Sequence, residues 1–498
     1  MTSWNGEFFL FPFSAGGHMK RIIRKWLSVS LCLALLSNAN ASYGQAAAPP
    51  VAQNSQTIDG LLPKSYLELL ELAPTVRFTS KQFEEVRKRL EREEKAKKGE
   101  LKTKQKNLES QIRQVQEELR KLNLTSPEDS PEMSAKRHDL HCRIQSLQAQ
   151  LAEYKVALQN GVPVEYDNLR AKLELLEKWP AAKQEIARVV QSGQVRSRHW
   201  GDAQDIGFRT IEANQEDDIK DGQEAVQQMK QMGMMPPEIQ DEKVVEYVNR
   251  LALNIAKNSD LTVPLKVTVL NSKEINAFAL PGGFLFVNRG LILETQNEAQ
   301  FVGVLAHEIS HDVARHGHRL MKKATIASII YQAAQIAALI FTGGAVGLGT
   351  YYALQYGFYG LGLALSLQLL GVSRDYELEA DQLGVQYVWK AGYNPEGFIQ
   401  FFDVMASKEG YVEKTSFFRT HPAFYDRIVG VYREISFLPK QERAMENTSE
   451  FQTMQSRLRE VVKKLDEEEA DRPSLYQQEP GCPGQPSGPS RTPLERRG

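Results

Sequence analysis

The stretch 304–316, VLAHEISHDVARH, places His307, Glu308 and His311 close together. Four helical residues turn through roughly 400°, so His307 and His311 project from nearly one face, with Glu308 rotated about 100° away. Two imidazoles in that relation can share a tetrahedral cation at about 2.0–2.1 Å. Glu308 then stands outside the ligand shell. It can still accept a proton from a water polarised there and hand it to a leaving amine. The pattern has this meaning only on a helix; the plain alternative is two core histidines one turn apart. The preceding residues favour the helix. Thr295 and Glu298 have capping-box spacing, and Phe301, Val302, Val304 and Leu305 carry an apolar run into a core.

A third ligand is required, because two imidazoles do not complete a zinc site. SRDYELEADQLGVQYV (373–388) offers Glu377 and Asp381 one turn apart, among apolar Leu378, Ala380, Leu383 and Val385. Glu377 can complete a His-His-Glu set, and Asp381 can hold a ligand imidazole through its second nitrogen. Alone, the segment would read as an amphipathic helix with surface acids. His316 and His318 read as surface or rim residues near Gly317, where the helix is expected to fray.

Upstream, 238–257 carries Val244, Val248, Leu251 and Ile255 on one helical face. Residues 264–270 alternate as a strand, and 275–292 gives two short strands broken by Pro281-Gly282-Gly283. The fold class expected is α+β, mostly α: a helical zincin-type peptidase domain with a small sheet over 236–435. A coiled-coil hairpin precedes it.

That hairpin is read from 78–190. Leu101, Leu108, Ile112, Val115, Leu119 and Leu122 recur at spacings of seven, then alternating four and three. The pattern resumes after the turn 124–134 with Leu140, Ile144, Leu147, Leu151, Tyr154 and Leu158. Two heptad helices joined by a Pro/Ser/Asp turn make an antiparallel coiled-coil arm, a structural or partner-binding element. A third amphipathic helix is expected around Leu169, Leu173 and Leu176. Residues 42–77 read as a linker, 191–235 as a connector, and 436–498 as a charged helix (about 439–467) with a Pro/Gly-rich tail.

The 498 residues carry a net charge of −1, which gives no reason to expect a nucleic-acid partner. Cys32, Cys142 and Cys482 are too scattered for a disulfide framework or a cysteine zinc site. The N-terminus has the parts of a secretion signal ending at Ala41: basic 19–25, an apolar core at 27–36 and small residues at 39–41, with Met19 a possible start. A periplasmic location follows. The insert 325–372 is nearly free of charge, and each half approaches membrane-spanning length. It is expected to be a buried or peripheral hairpin, with a membrane-seeking lid as the alternative.

HEISH, then ELEAD (377–381), then RTHPAFYDR (419–427), with NAFALPGG (276–283) upstream, closely resembles one gluzincin-type zinc metallopeptidase family. It holds the HtpX-like membrane proteases, the CAAX prenyl proteases and the BepA-like proteases; the secreted BepA-like branch is nearest. The resemblance covers about 240–430. It implies one zinc on His307, His311 and Glu377, with Glu308 as base. It implies a supporting or proton-donating Asp381, and His421 over the metal as an extra ligand or hydrogen-bond donor. Arg427 would organise the acidic residues, and Asn276, Ala277, Phe278 and Ala279 would lie in an edge strand that pairs with extended substrate. The chain departs from the BepA-like pattern in lacking helical repeats after the peptidase domain.

The function expected is a zinc-dependent endopeptidase of the bacterial cell envelope, acting on unfolded or misassembled proteins. The competing reading is a coiled-coil adaptor or chaperone whose zinc site is latent or shut. Prenyl-peptide processing is a third, for which several definite membrane spans would be expected.

Overall fold

The computed structural model describes residues 56–125, 130–193, 200–209, 215–231, 235–321, 374–407 and 424–470. The signal segment, the insert 325–372, His421 and the tail beyond residue 470 lie outside the described residues. The fold is mostly α-helical with one small sheet, as the sequence patterns predict.

Two short helices, α1 (Ile58–Leu61) and α2 (Tyr66–Leu72), come first in what reads as linker. Ser65 caps α2 through a capping box with Glu68, and Tyr66, Leu69 and Leu70 are buried. α3 (Ser80–Thr125) and α4 (Pro131–Val156) then pair along their length. The stripe residues Leu108, Ile112 and Val115 pack against Leu140, Ile144, Leu147 and Leu151 in a small cluster of their own.

α5 (Val162–Ser192) returns to the body of the protein. Its Leu173, Leu175, Leu176 and Trp179 are buried, and they join the core that holds the HEISH helix. The start of α3, with Phe83, Val86 and Leu90, belongs to that same core.

The stretch read as a connector contains α6 (Gln215–Gln231), with Asp218, Ala225 and Met229 buried. α7 (Glu242–Lys257) follows, capped by Asp241 and presenting Val244, Val248, Leu251 and Ile255 inward. The sheet has the order β1-β3-β2, with β1 (Lys266–Leu270), β2 (Ala277–Leu280) and β3 (Phe284–Asn288). β1 runs parallel to β3, and β2 antiparallel to it with Ala277 opposite Val287. Among the described residues β2 is therefore an edge strand, and it packs on the HEISH helix.

The turn between β2 and β3 needs glycine for two reasons. Gly282 and Gly283 have φ of 83° and 85°, where a side chain is strained. A Cβ on Gly282 would also lie 2.4 Å from the Ile219 Cα of α6, so backbone meets backbone there.

α8 (Arg289–Glu294) leads into α9 (Glu298–Val313), the HEISH helix. Its cap is Asn297, whose side chain accepts from the Gln300 N–H at 2.9 Å. Thr295 does not cap it: the Thr295 hydroxyl is buried and donates back to the Ile292 carbonyl. Glu298 is tied instead to the Tyr393 and Thr448 hydroxyls, so it cannot serve a capping box. The helix is buried almost throughout, with Phe301, Val302, Leu305 and Ile309 fully enclosed.

Beyond α9 lie α10 (His316–Met321), α11 (Arg374–Lys390), α12 (Gly397–Ser407), α13 (Tyr425–Phe437) and α14 (Ser449–Ala470). α14 starts about ten residues later than charge patterning predicts. Met445, just before it, forms a bridge with Tyr393 instead: the Asn394 N–H donates to the Met445 carbonyl, and the Met445 N–H donates to the Gly392 carbonyl. Among the described residues no helix is long and apolar enough to cross a membrane.

α11 crosses α9 at Gly384. A Cβ there would stand 2.7 Å from Phe398 Cζ and 3.3 Å from the His307 backbone nitrogen. That close approach sets the depth at which Glu377, two turns earlier, meets the histidines. Gly384→Ala is expected to cost about 1–3 kcal/mol through overpacking, read as a lower denaturant midpoint at unchanged m-value. Wild-type stability would show that Phe398 swings aside and that the crossing is not tight.

Candidate active site

α9 supplies His307, Glu308 and His311, exposed at 1%, 2% and 8%. α11 supplies Glu377 and Asp381, each 2% exposed, and α13 supplies Arg427 at 1%. Three elements far apart in sequence thus place their polar side chains in one dry region. Packing explains it: α11 is clamped between α9 on one face and α13 on the other.

His307 Nε2 and His311 Nε2 are 3.0 Å apart. Glu377 Oε2 lies 3.4 Å from the first, and its Oε1 3.6 Å from the second. Donors each about 2.0–2.1 Å from a tetrahedral centre should stand roughly 3.3 Å apart, and the triangle scatters around that value. His307, His311 and Glu377 together form one of two groups among the described residues that could hold a metal ion. Two imidazoles and a carboxylate suit zinc. The backs of the rings are occupied: His307 Nδ1 lies 3.0 Å from Asp381 Oδ1, and His311 Nδ1 lies 2.8 Å from His316 Nδ1. Both Nε2 atoms are thereby left to face the common centre.

Charge balance comes from Arg427. Its Nε and Nη2 donate to the two oxygens of Asp381, each at 2.7 Å. Its Nη1 lies 3.0 Å from Glu377 Oε2. Burial acts to raise the Asp381 carboxyl, but Arg427 and His307 outweigh it and hold it below the ordinary value. Burial likewise works against a charge on His307, yet Asp381 and Glu377 push the ring up to about 9. A proton and a cation therefore compete for the same Nε2 lone pair.

Two expectations change. His316 is not a rim residue. It is 2% exposed, stacks 4.3 Å from Tyr376 at 10°, and its Nε2 lies 2.9 Å from Glu379 Oε2. His318 is half-buried, with Nδ1 2.7 Å from Asp218 Oδ1. The cause is a break after α9: Arg315 takes φ 53°, a left-handed conformation rare for a side-chain-bearing residue. Its guanidinium is held by Asp218 of α6 at 2.6 and 2.8 Å. The chain turns there, and α10 begins with His316 folded back onto His311. His316 and Glu379 are thus site residues that spacing does not reveal, since five residues do not align on one helical face. The only signal was histidine itself.

An HExxH helix packed beside a small sheet, with a second helix bringing a carboxylate, is the arrangement of a zincin-like peptidase domain. Residues 238–434 match the model of peptidase family M48, so the chain carries an M48 metallopeptidase domain. It is 29% identical over 202 residues to a beta-barrel assembly-enhancing protease of Yersinia pestis, covering 39% of each chain. A putative beta-barrel assembly-enhancing protease of Vibrio cholerae is 32% identical over 197 residues, again 39% of each chain. The mitochondrial metalloendopeptidase OMA1 of Schizosaccharomyces pombe is 30% identical over 185 residues, 36% of this chain and 50% of the relative. The matches thus span between about two fifths and half of those relatives' lengths.

Removing Arg427 leaves two buried carboxylates without a counter-charge. Arg427→Met is expected to destabilise the metal-free protein by about 3–5 kcal/mol, measured by urea denaturation followed by tryptophan fluorescence. A loss under about 1 kcal/mol would mean that water reaches the carboxylates and carries the balance instead.

Proposed function

We propose that this protein is a zinc-dependent endopeptidase of the bacterial cell envelope that cuts unfolded or misassembled proteins. One observation supports it most: two imidazoles and a carboxylate converge within a metal's reach, with Glu308 beside them on the same helix. A structural zinc site has no use for that extra carboxylate. His307, His311 and Glu377 would hold one zinc per chain, which when bound supplies Lewis-acid polarisation of a peptide carbonyl and acidifies water.

The protein's own groups do the rest. Glu308 takes the proton of the attacking water and returns it to the amine as the peptide bond breaks. Asp381 holds the His307 ring, and Arg427 holds Asp381 and Glu377 in place. His421 would donate a hydrogen bond to the developing oxyanion or close over the metal. Extended substrate would add along β2, at Asn276 just before it and at Ala277, Phe278 and Ala279, pairing by backbone. Backbone pairing is indifferent to most side chains, which suits unfolded clients. The signal-like N-terminus and the two beta-barrel assembly-enhancing relatives support an envelope, periplasmic setting. The α3–α4 arm offers a surface for a coiled-coil partner, and the insert 325–372 a means of membrane association.

Cleavage of denatured casein by the purified protein tests this, with zinc content measured alongside. Glu308→Gln is expected to keep zinc and to lose activity by about 10²–10⁴-fold, the usual contribution of a general base. Chelation should abolish cutting, and zinc should restore it. Zinc-loaded wild type that does not cut would favour the latent adaptor reading.

A further inference from the structure

We propose that His316 and Glu379 are positioning residues that fix the His311 ring for metal binding, through a relay running Glu379, His316, His311. The inference rests on the zinc site proposed above and concerns residues outside its ligand set.

Proton arithmetic carries the inference. A neutral imidazole that offers Nε2 to a cation must keep its proton on Nδ1. His311 Nδ1 lies 2.8 Å from His316 Nδ1, so one of those two nitrogens donates and the other accepts. With His311 as ligand, His311 must donate and His316 Nδ1 must accept. His316 then carries its proton on Nε2, and that nitrogen lies 2.9 Å from Glu379 Oε2. An ionised carboxylate has no proton to donate and accepts there. All three groups therefore agree on one arrangement of protons, which aims the His311 Nε2 lone pair at the metal position. The reverse arrangement would place a proton on His311 Nε2 and close that position.

The relay is also held rigidly. His316 is 2% exposed and stacked on Tyr376. Its place follows from the left-handed Arg315, pinned by Asp218. Glu379 sits two residues after Glu377 on α11, so one helix supplies both a ligand and the far end of the relay that orients another. His307 is held differently, by the Asp381 carboxylate directly. The two imidazoles thus have separate supports, and one can be removed without the other.

The test is zinc affinity of the full chain, by competition with a chromogenic chelator, together with thermal unfolding of each metal-free protein. His316→Phe keeps the stack on Tyr376 but removes both nitrogens. Glu379→Leu removes the terminal acceptor. His316→Gln can present an oxygen to His311 and an N–H to Glu379. Loss of a partner behind a ligand histidine typically weakens metal binding about 10–100-fold. A loss of that size is expected for His316→Phe, a smaller loss for Glu379→Leu, and recovery of most of the wild-type affinity for His316→Gln. Metal-free unfolding is expected to remain cooperative in all three. Wild-type affinity in either His316→Phe or Glu379→Leu overturns the relay. Equal losses in His316→Phe and His316→Gln also overturn it, because packing rather than hydrogen bonding would then be responsible. A wild type that takes up no zinc overturns both the relay and the zinc site on which it rests.

Discussion

Glu377 and Asp381 are only 2% exposed among apolar helices, where an unbalanced carboxylate is costly. Arg427 makes their burial tolerable. Its planar fork meets Asp381 with two bonds and still reaches Glu377, which a lysine could not do in that geometry. A network of this kind is weak as a source of net stability but severe in what it permits. α9, α11 and α13 must sit in one relative placement for every charge to find its partner. The triangle of His307, His311 and Glu377 is a consequence of that placement, so these side chains are held together by the protein's own charge pairing.

The same reasoning extends outward from α9. The helix cannot simply continue past Val313, because His316 would then point away from His311. The chain instead adopts a left-handed residue at Arg315, which costs on the order of 1 kcal/mol. The buried Arg315–Asp218 pair holds it there. Asp218 belongs to α6, whose backbone also presses against the turn after the edge strand β2. α6 therefore fixes two features at once: the return of the chain over His311, and the end of the strand proposed to receive substrate.

The N-terminal helices are continuous with this core as well. Trp179 of α5 is fully buried, donates to the Leu70 carbonyl at 2.7 Å, and meets Tyr432 of α13 edge-on at 4.7 Å. α13 also carries Arg427. α5 thus packs both on the base of α3 and on the helix whose Arg427 balances Asp381 and Glu377, while the distal half of the hairpin keeps a separate apolar seam.

The sequence by itself determined whatever depends on local periodicity. Histidines four apart on an apolar helix share a face because α-helices repeat every 3.6 residues. The heptad stripe, the mostly helical class and the glycine turn between two short strands follow from the same kind of reasoning. The paired acids of ELEAD were legible as a candidate ligand and its support, and the order of motifs brought Arg427 into view. Tertiary structure alone decided the rest. That Asn297 rather than Thr295 caps α9 depended on Tyr393 and Thr448 claiming Glu298. That α6 is part of the domain depended on backbone contact at glycine. His316 reaches His311 only because a strained residue, held by an acid about a hundred positions away, turns the chain back. Sequence spacing encodes neighbours along a helix or strand; it carries no record of which distant charge will pin a bend, and that is where the support for His311 lies.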